Sequence, residues 1–332
     1  MAGRSIVIAR ALWAMAVALV ASSPAYGFVC ERAADASGND TGASLAWFKR
    51  DLSYNVNVHG TAAAPDSATL SAAIEQAHLT WQELMSQLEC GPASGLTDIT
   101  FARGPDSAST LIGFDALHPD QNENLIIFYD VRCQAPTPAG TPCLPSSWPG
   151  PTTIALTTDT YNPLTGEIFD SDLELDGVDN AFALLPAYCP SNVSGTALLP
   201  ECAFIDIQNT VTHETGHFLG LAHTTVPNST MNASAQRGET SKRTLGCDDR
   251  DGLLFKYPAG QANGYCNPPA SACGFCAPPG SSSTNITARV VGTDSDATGG
   301  CQASAAPRWA AWLVLLALVF SPSLCRCGRR AR

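Results

Sequence analysis

His213-Glu214-Thr215-Gly216-His217-Phe218-Leu219-Gly220-Leu221-Ala222-His223 reads H-E-x-x-H-x-x-G-x-x-H. On a helix, residues four apart share one face about one turn apart, so His213 and His217 project side by side. Two imidazoles so placed reach a single Zn²⁺ at about 2.0–2.1 Å. Glu214 then points beside the metal, where a carboxylate can hold a water. Gly220 tolerates φ > 0, which lets the helix end there and the chain turn back. That turn brings His223 in from a loop as a third ligand. Three protein ligands leave a fourth position open, the arrangement of a catalytic rather than a structural zinc. The plain alternative is a polar helix face with solvated or core histidines. With six His in 332 residues, chance assembly of the five fixed positions is on the order of 1 in 10⁵, which decides against it.

Eight positions after His223 stands Met231, in the run His223-Thr-Thr-Val-Pro-Asn-Ser-Thr-Met231. Alone it would be an ordinary core or surface methionine. In this register the chain resembles the metzincin metallopeptidases, whose extended zinc motif is followed by a tight methionine turn under the metal. The Ser/Thr-rich loop with Pro227 is most similar to the matrixin branch. So is Asp248-Asp249-Arg250-Asp251-Gly252-Leu253-Leu254-Phe255-Lys256-Tyr257, which looks like a matrixin closing helix ending at a Tyr. The resemblance implies an α+β fold: a twisted, mostly parallel sheet with an active-site helix and a C-terminal helix, and a cleft between the sheet half and a smaller C-terminal half. It also implies that Met231 supports the metal by packing. Two family features are missing. There is no Pro-Arg-Cys-Gly-type propeptide switch, and Ala233 stands two residues after Met231, where some metzincins carry a metal-assisting Tyr.

Upstream, Leu52 to Val58 alternates polar and apolar residues, a strand signature. Residues 65–88 read as a helix, with Leu70, Ile74, Ala77, Trp81, Leu84, Met85 and Leu88 on its apolar face. His78 on this helix is expected at the surface or edge. Asp98–Arg103, Asn124–Asp130 and Thr153–Thr158 read as further strands. The Pro-rich loop between Cys133 and Pro151 is long enough to be a rim insertion. Tyr161–Gly166 is a turn, and Glu167–Leu175 a strand with Asp170, Asp172 and Glu174 on one face. That acidic run is similar to the matrixin segment that supplies calcium ligands. Its carboxylates are either a Ca²⁺ site or a solvated strand face. Asp206 or Asn209 is positioned to cap the zinc helix.

The ends of the chain read as targeting segments. Residues 1–27 have a basic start, an apolar stretch from Leu12 to Ala21 and small residues at Ala25 and Gly27, as in a cleaved secretory signal. The apolar stretch is short for a membrane span. Residues 259–300 are rich in Cys, Pro, Gly and Ser, a disulfide-tied tail and linker. In 301–332, Cys301 precedes a short apolar run and a basic tail. The order resembles a bacterial C-terminal sorting signal of the myxobacterial type, with Cys301 its cysteine; a plain tail anchor is the alternative. The domain between, 28–258, is long enough for one full core.

Losing both ends removes seven Arg and no acid, which moves the net charge from −12 to −19. That argues against nucleic acid as a partner, since phosphate binding needs a basic surface. Ten Cys remain, an even number in an exported chain, so disulfides are expected, with Cys133–Cys143 and Cys189–Cys202 as short-loop pairs. The expectation is an exported monomeric zinc endopeptidase, at the cell surface, outer membrane or outside the cell. Membrane contact would come only through the two terminal segments. His213, His217 and His223 hold the zinc, Glu214 is the general base, polypeptide is the substrate, and Ca²⁺ is a second, structural ion. Two rivals stand beside it: a zinc-containing binding or adhesion module with little turnover, and a metallohydrolase acting on a non-peptide bond.

Overall fold

The structure, a computed structural model, describes residues 27–34, 40–64, 66–134, 140–189, 199–264 and 287–291. Almost all of the expected N-terminal signal (1–27), most of the expected 259–300 tail and the whole of 301–332 with Cys301 lie outside them. Among the described residues no helix is long and apolar enough to cross a membrane.

The main sheet has six strands: β1 (Asp51–Val56), β2 (Thr100–Arg103), β3 (Leu125–Tyr129), β4 (Ala155–Tyr161), β5 (Ile168–Asp176) and β6 (Thr287–Val291). Their order across the sheet is β6-β4-β5-β3-β1-β2. The pairs β2/β1, β1/β3 and β3/β5 are parallel, whereas β4 runs antiparallel to β5. The expected mostly parallel sheet is therefore a parallel core with an antiparallel margin. Strand β6 pairs antiparallel with β4, Thr287 opposite Tyr161 and Val291 opposite Thr157. It lies within 259–300, expected as tail and linker, although Thr287, Val290 and Val291 are β-branched residues that suit a strand.

Among the described residues three α-helices pack with the sheet: α1 (Ser67–Gln82), α2 (Ile207–Phe218) and α3 (Cys247–Lys256). Asp66 caps α1 by accepting from the backbone N–H groups of Ala68 and Thr69, both at 3.2 Å. Leu70, Ile74, Ala77 and Trp81 are buried as the periodicity predicts. The helix ends at Gln82, six residues before the expected boundary. Leu84 adopts φ 54° and the Met85 N–H bonds back to Thr80 O at 2.9 Å, which is a Schellman-type stop with a leucine in place of glycine. The reason is tertiary. Met85 and Gln87 pair through their backbones with Leu245, and Cys90 is disulfide-bonded to Cys247 at the start of α3. Leu88, expected on the apolar face, is 99% exposed. Both short-loop disulfides, Cys133–Cys143 and Cys189–Cys202, are present.

His78 corrects the expectation of a surface residue. It is 1% exposed, stacked on Tyr54 at 3.8 Å between centroids, with Nδ1 2.8 Å from Ile74 O and Nε2 without a partner. The strand that became β1 carries an aromatic at Tyr54, and stacking there outweighs the polarity of the ring. Burial holds the imidazole neutral, with its pKa lowered to about 4. The unfolded chain takes up a proton near pH 6.5 that the folded one refuses until about pH 4. Stability is thus intact above pH 6.5 and drains as pH falls toward 4, by about 3 kcal/mol in total. Urea unfolding of the wild type and His78→Phe across that window should show a shallower loss in the variant.

The acidic strand also differs from one of its two expected settings. Asp170, Asp172 and Glu174 are buried, so a solvated strand face is excluded. Alternation along β5 separates two faces but says nothing of what covers the second. Here Asp172 accepts from Gly113 N at 2.5 Å and Leu125 N at 2.8 Å, and Glu174 from the Tyr129 hydroxyl at 2.6 Å and Thr158 Oγ1 at 2.8 Å.

The core runs through Trp47, Trp81, Phe218, Leu253 and Tyr257. Two of these aromatics also close the end of α2, where the last carbonyls have no partner within the helix. Trp47 Nε1 donates to Phe218 O at 2.8 Å, and the Tyr257 hydroxyl donates to Leu219 O at 2.9 Å. The Tyr that ends α3 therefore fixes the point at which the zinc-motif helix stops.

Candidate metal centre

Almost every residue of α2 is buried, although the helix carries Thr, Asn, His and Glu. This is possible because each polar group finds a partner. Asp206 caps the helix, accepting from Asn209 N at 2.8 Å, and is itself held by Arg243 Nε at 2.8 Å. Of the two cap candidates it is Asp206 that serves. Thr210, Thr212 and Thr215 return their hydroxyls to carbonyls one turn back, at 2.7–2.9 Å. Asn209 Oδ1 accepts from Lys242 N at 2.7 Å.

Past Leu219 the chain turns at Gly220, φ 76°, where a Cβ would sit 2.3 Å from Leu45 O. Only glycine fits there on both counts. Residues Leu221 and Ala222 then pair with Val29–Cys30, and His223 follows.

The three histidines converge. His223 Nε2 lies 3.2 Å from His213 Nε2 and 3.1 Å from His217 Nε2. The other ring nitrogens face carbonyl oxygens, His213 Nδ1 at 2.6 Å from Thr230 O and His217 Nδ1 at 2.8 Å from Leu221 O. A carbonyl only accepts, so each Nδ1 carries the proton and each Nε2 presents its lone pair inward. Burial reinforces the neutral form, pushing both imidazoles well below their ordinary pKa. Ligands at 2.0–2.1 Å from a tetrahedral zinc stand about 3.3–3.4 Å apart, close to the separations seen. Among the described residues this trio is the group of three or more His, Cys, Asp or Glu whose ligand atoms all lie within 4.8 Å of one another. The residues present fit Zn²⁺.

Glu214 is buried beside the trio, and Thr157 Oγ1 on β4 donates to its Oε2 at 2.7 Å. Burial pushes the carboxyl up to about 7, against the opposing hydrogen bond from Thr157. Thr157 lies in a strand that the sequence reveals, but nothing in the sequence marks it as the residue orienting Glu214.

Met231 passes beneath the helix, where a Cβ on Gly216 would meet its Sδ at 2.1 Å and Trp81 Cζ2 at 2.8 Å. The glycine inside the motif is thus the seat of the methionine turn. The turn itself is built around Asp249, which is fully buried. Its Oδ1 accepts from Met231 N at 3.1 Å and from Ser229 Oγ at 2.5 Å, and its Oδ2 from Thr230 N at 2.5 Å and Gly246 N at 3.0 Å. The sequence shows Asp249 only as part of a family-like run.

A cavity of about 240 Å³ opens beside the trio, lined by Thr152 to Ala155 before and in β4, by Asn209, Thr210, His213 and Glu214 of α2, and by Ala233, Ala235 and Lys242. It lies between strand β4 and the segment that follows Met231.

No curated protein matches the chain. The matrixin family model matches residues 156–257, from β4 through α2 and the methionine turn to Tyr257. The match spans the whole zinc-motif constellation, and with the mixed sheet and its three helices it supports a matrixin-like metallopeptidase of α+β fold.

Proposed function

We propose that the protein is an exported zinc-dependent endopeptidase, with His213, His217 and His223 as the ligands and Glu214 as general base. The observation that carries this reading is the convergence of three Nε2 atoms beside a buried carboxylate that is not one of them. Zn²⁺ held there would lower the pKa of a water and polarise the scissile carbonyl. Glu214 takes a proton from the attacking water and passes it to the leaving amine. Thr157 holds the carboxylate in place for both transfers. A structural zinc site needs no such base, which weighs against a binding or adhesion module.

The antiparallel margin of the sheet suits an extended peptide, which favours an endopeptidase. Strand β6 covers β4 from Tyr161 to Thr157, so a peptide longer than the cleft exchanges with it there. Asp170, Asp172 and Glu174 stay the candidates for a structural Ca²⁺, tested by the change in Tm on adding Ca²⁺. The segments 1–27 and 301–332, with Cys301, serve export and surface sorting.

Hydrolysis of casein by the purified protein tests the main reading. Activity should be lost with a chelator and return with Zn²⁺. Bound zinc without cleavage of any protein or peptide would overturn it.

A further inference from the structure

The cavity beside the histidines is lined by one lysine, Lys242. Lys242 is 4% exposed and lines the cavity wall. Its Nζ donates to Asn232 O and, at 2.8 Å, to Ser234 O. An ammonium has three donors, and two carbonyls do not neutralise it. Among the described residues no carboxylate lies within salt-bridge distance of Nζ. Three acids act on it only at longer range, and their oxygens bond to other groups. Glu239 accepts from Gln236 N and Ser241 Oγ, Glu214 from Thr157, and Asp249 from the methionine turn. A buried charge without an ionic partner is costly, and an incoming carboxylate would offset that cost.

The geometry also says which part of a substrate meets this wall. Strand β6 shows that the outer edge of β4 accepts a chain running antiparallel, from Tyr161 toward Thr157. A peptide with that polarity reaches Thr157 and Glu214 and then continues past Ala155 to Thr153, the stretch that lines the cavity. The side chain just beyond the scissile bond is therefore the one that enters it.

We propose that this cavity takes the carboxylate of an Asp or Glu immediately following the scissile bond, and that Lys242 is the residue that selects it. The inference rests on the peptidase reading above. A peptide's own terminal carboxylate has the same chemistry, but its use would make the enzyme an exopeptidase.

The test is a set of peptides, identical except for the residue after the cleaved bond and each made with a free and an amidated C-terminus. They are digested by the full-length zinc-loaded protein and read by mass spectrometry. For wild type, kcat/KM should favour Glu or Asp over Leu by at least ~10-fold, whether or not the terminus is amidated. Lys242→Met should erase that ratio, and Lys242→Glu should turn it toward Lys and Arg. A purely structural lysine would instead lower all peptides alike and leave the ratio unchanged. The wild-type profile decides the matter even if neither variant folds. Cleavage before apolar residues with acidic peptides resistant overturns this proposal alone, whereas activity confined to free C-termini overturns it together with the endopeptidase reading. No cleavage of any peptide overturns the peptidase reading, and this one with it.

Discussion

Glu214→Gln should lower kcat/KM for peptide hydrolysis by about 10²–10⁴-fold while leaving one zinc per molecule. The amide is nearly isosteric with the carboxylate, and its oxygen still accepts the 2.7 Å hydrogen bond from Thr157, so the side chain keeps its place. It loses only the capacity to take a proton. In the proposed site the three His Nε2 atoms would hold the metal, and His213 and His217 are oriented by Thr230 O and Leu221 O rather than by Glu214. Zinc content by atomic absorption and the rate on one peptide, measured on the same preparation, separate the possibilities. Full activity in the variant would rule out Glu214 as the base. Loss of zinc together with activity would make it part of the metal-holding framework. Retained binding of a ligand by both forms, with no turnover in either, would favour the binding-module alternative.

The parts of this site that are legible in the sequence are those that rest on local geometry. Spacing four along a helix places His213 and His217 together, and a glycine at Gly220 permits the φ 76° turn that delivers His223. Asp206, one of the two cap candidates, announces its helix because capping is decided within three residues, whereas the Asp66 cap is not read from the sequence. What stays hidden is settled between segments far apart in the chain. The apolar periodicity of α1 continues through Leu88, but pairing with Leu245 and the bond from Cys90 to Cys247 redirect the chain at Leu84. His78 looks like a surface residue until Tyr54 is laid against it. The carboxylates of β5 alternate correctly, yet only the chain around Gly113 and Leu125 shows that they are covered. Thr157 and Lys242 have no distinguishing neighbours in sequence. Their roles come from facing α2 across the cleft, which the sheet order and the return of the chain after Met231 create.

Asp249→Asn should destabilise the domain by roughly 3–5 kcal/mol, since it strips acceptors from several buried donors at once. The carboxylate accepts from the backbone N–H groups of Thr230, Met231 and Gly246 and from the Ser229 hydroxyl. An amide offers one oxygen where there were two and turns its own N–H₂ toward two of those donors. For a domain of this size each kcal/mol lowers Tm by about 2–4 °C, so a fall of about 6–20 °C is expected. The effect should not stop at stability. Thr230 donates its N–H to Asp249 and offers its carbonyl to His213 Nδ1 at 2.6 Å, so the aspartate fixes the group that fixes a metal ligand. Disturbing such outer partners typically costs 10–100-fold in metal affinity. Asp251→Asn, on the same helix but half-buried and bonded through its side chain to the neighbouring Arg250, is the control and should shift neither quantity appreciably. Calorimetry with competitive zinc titration of the two variants reads both. If Asp249→Asn melts with the wild type and keeps its zinc, the methionine turn is held by the packing of Met231 against Gly216 rather than by this carboxylate. If it melts early but keeps its zinc affinity, the turn and the ligand orientation are independent, and the link through Thr230 carries no energy.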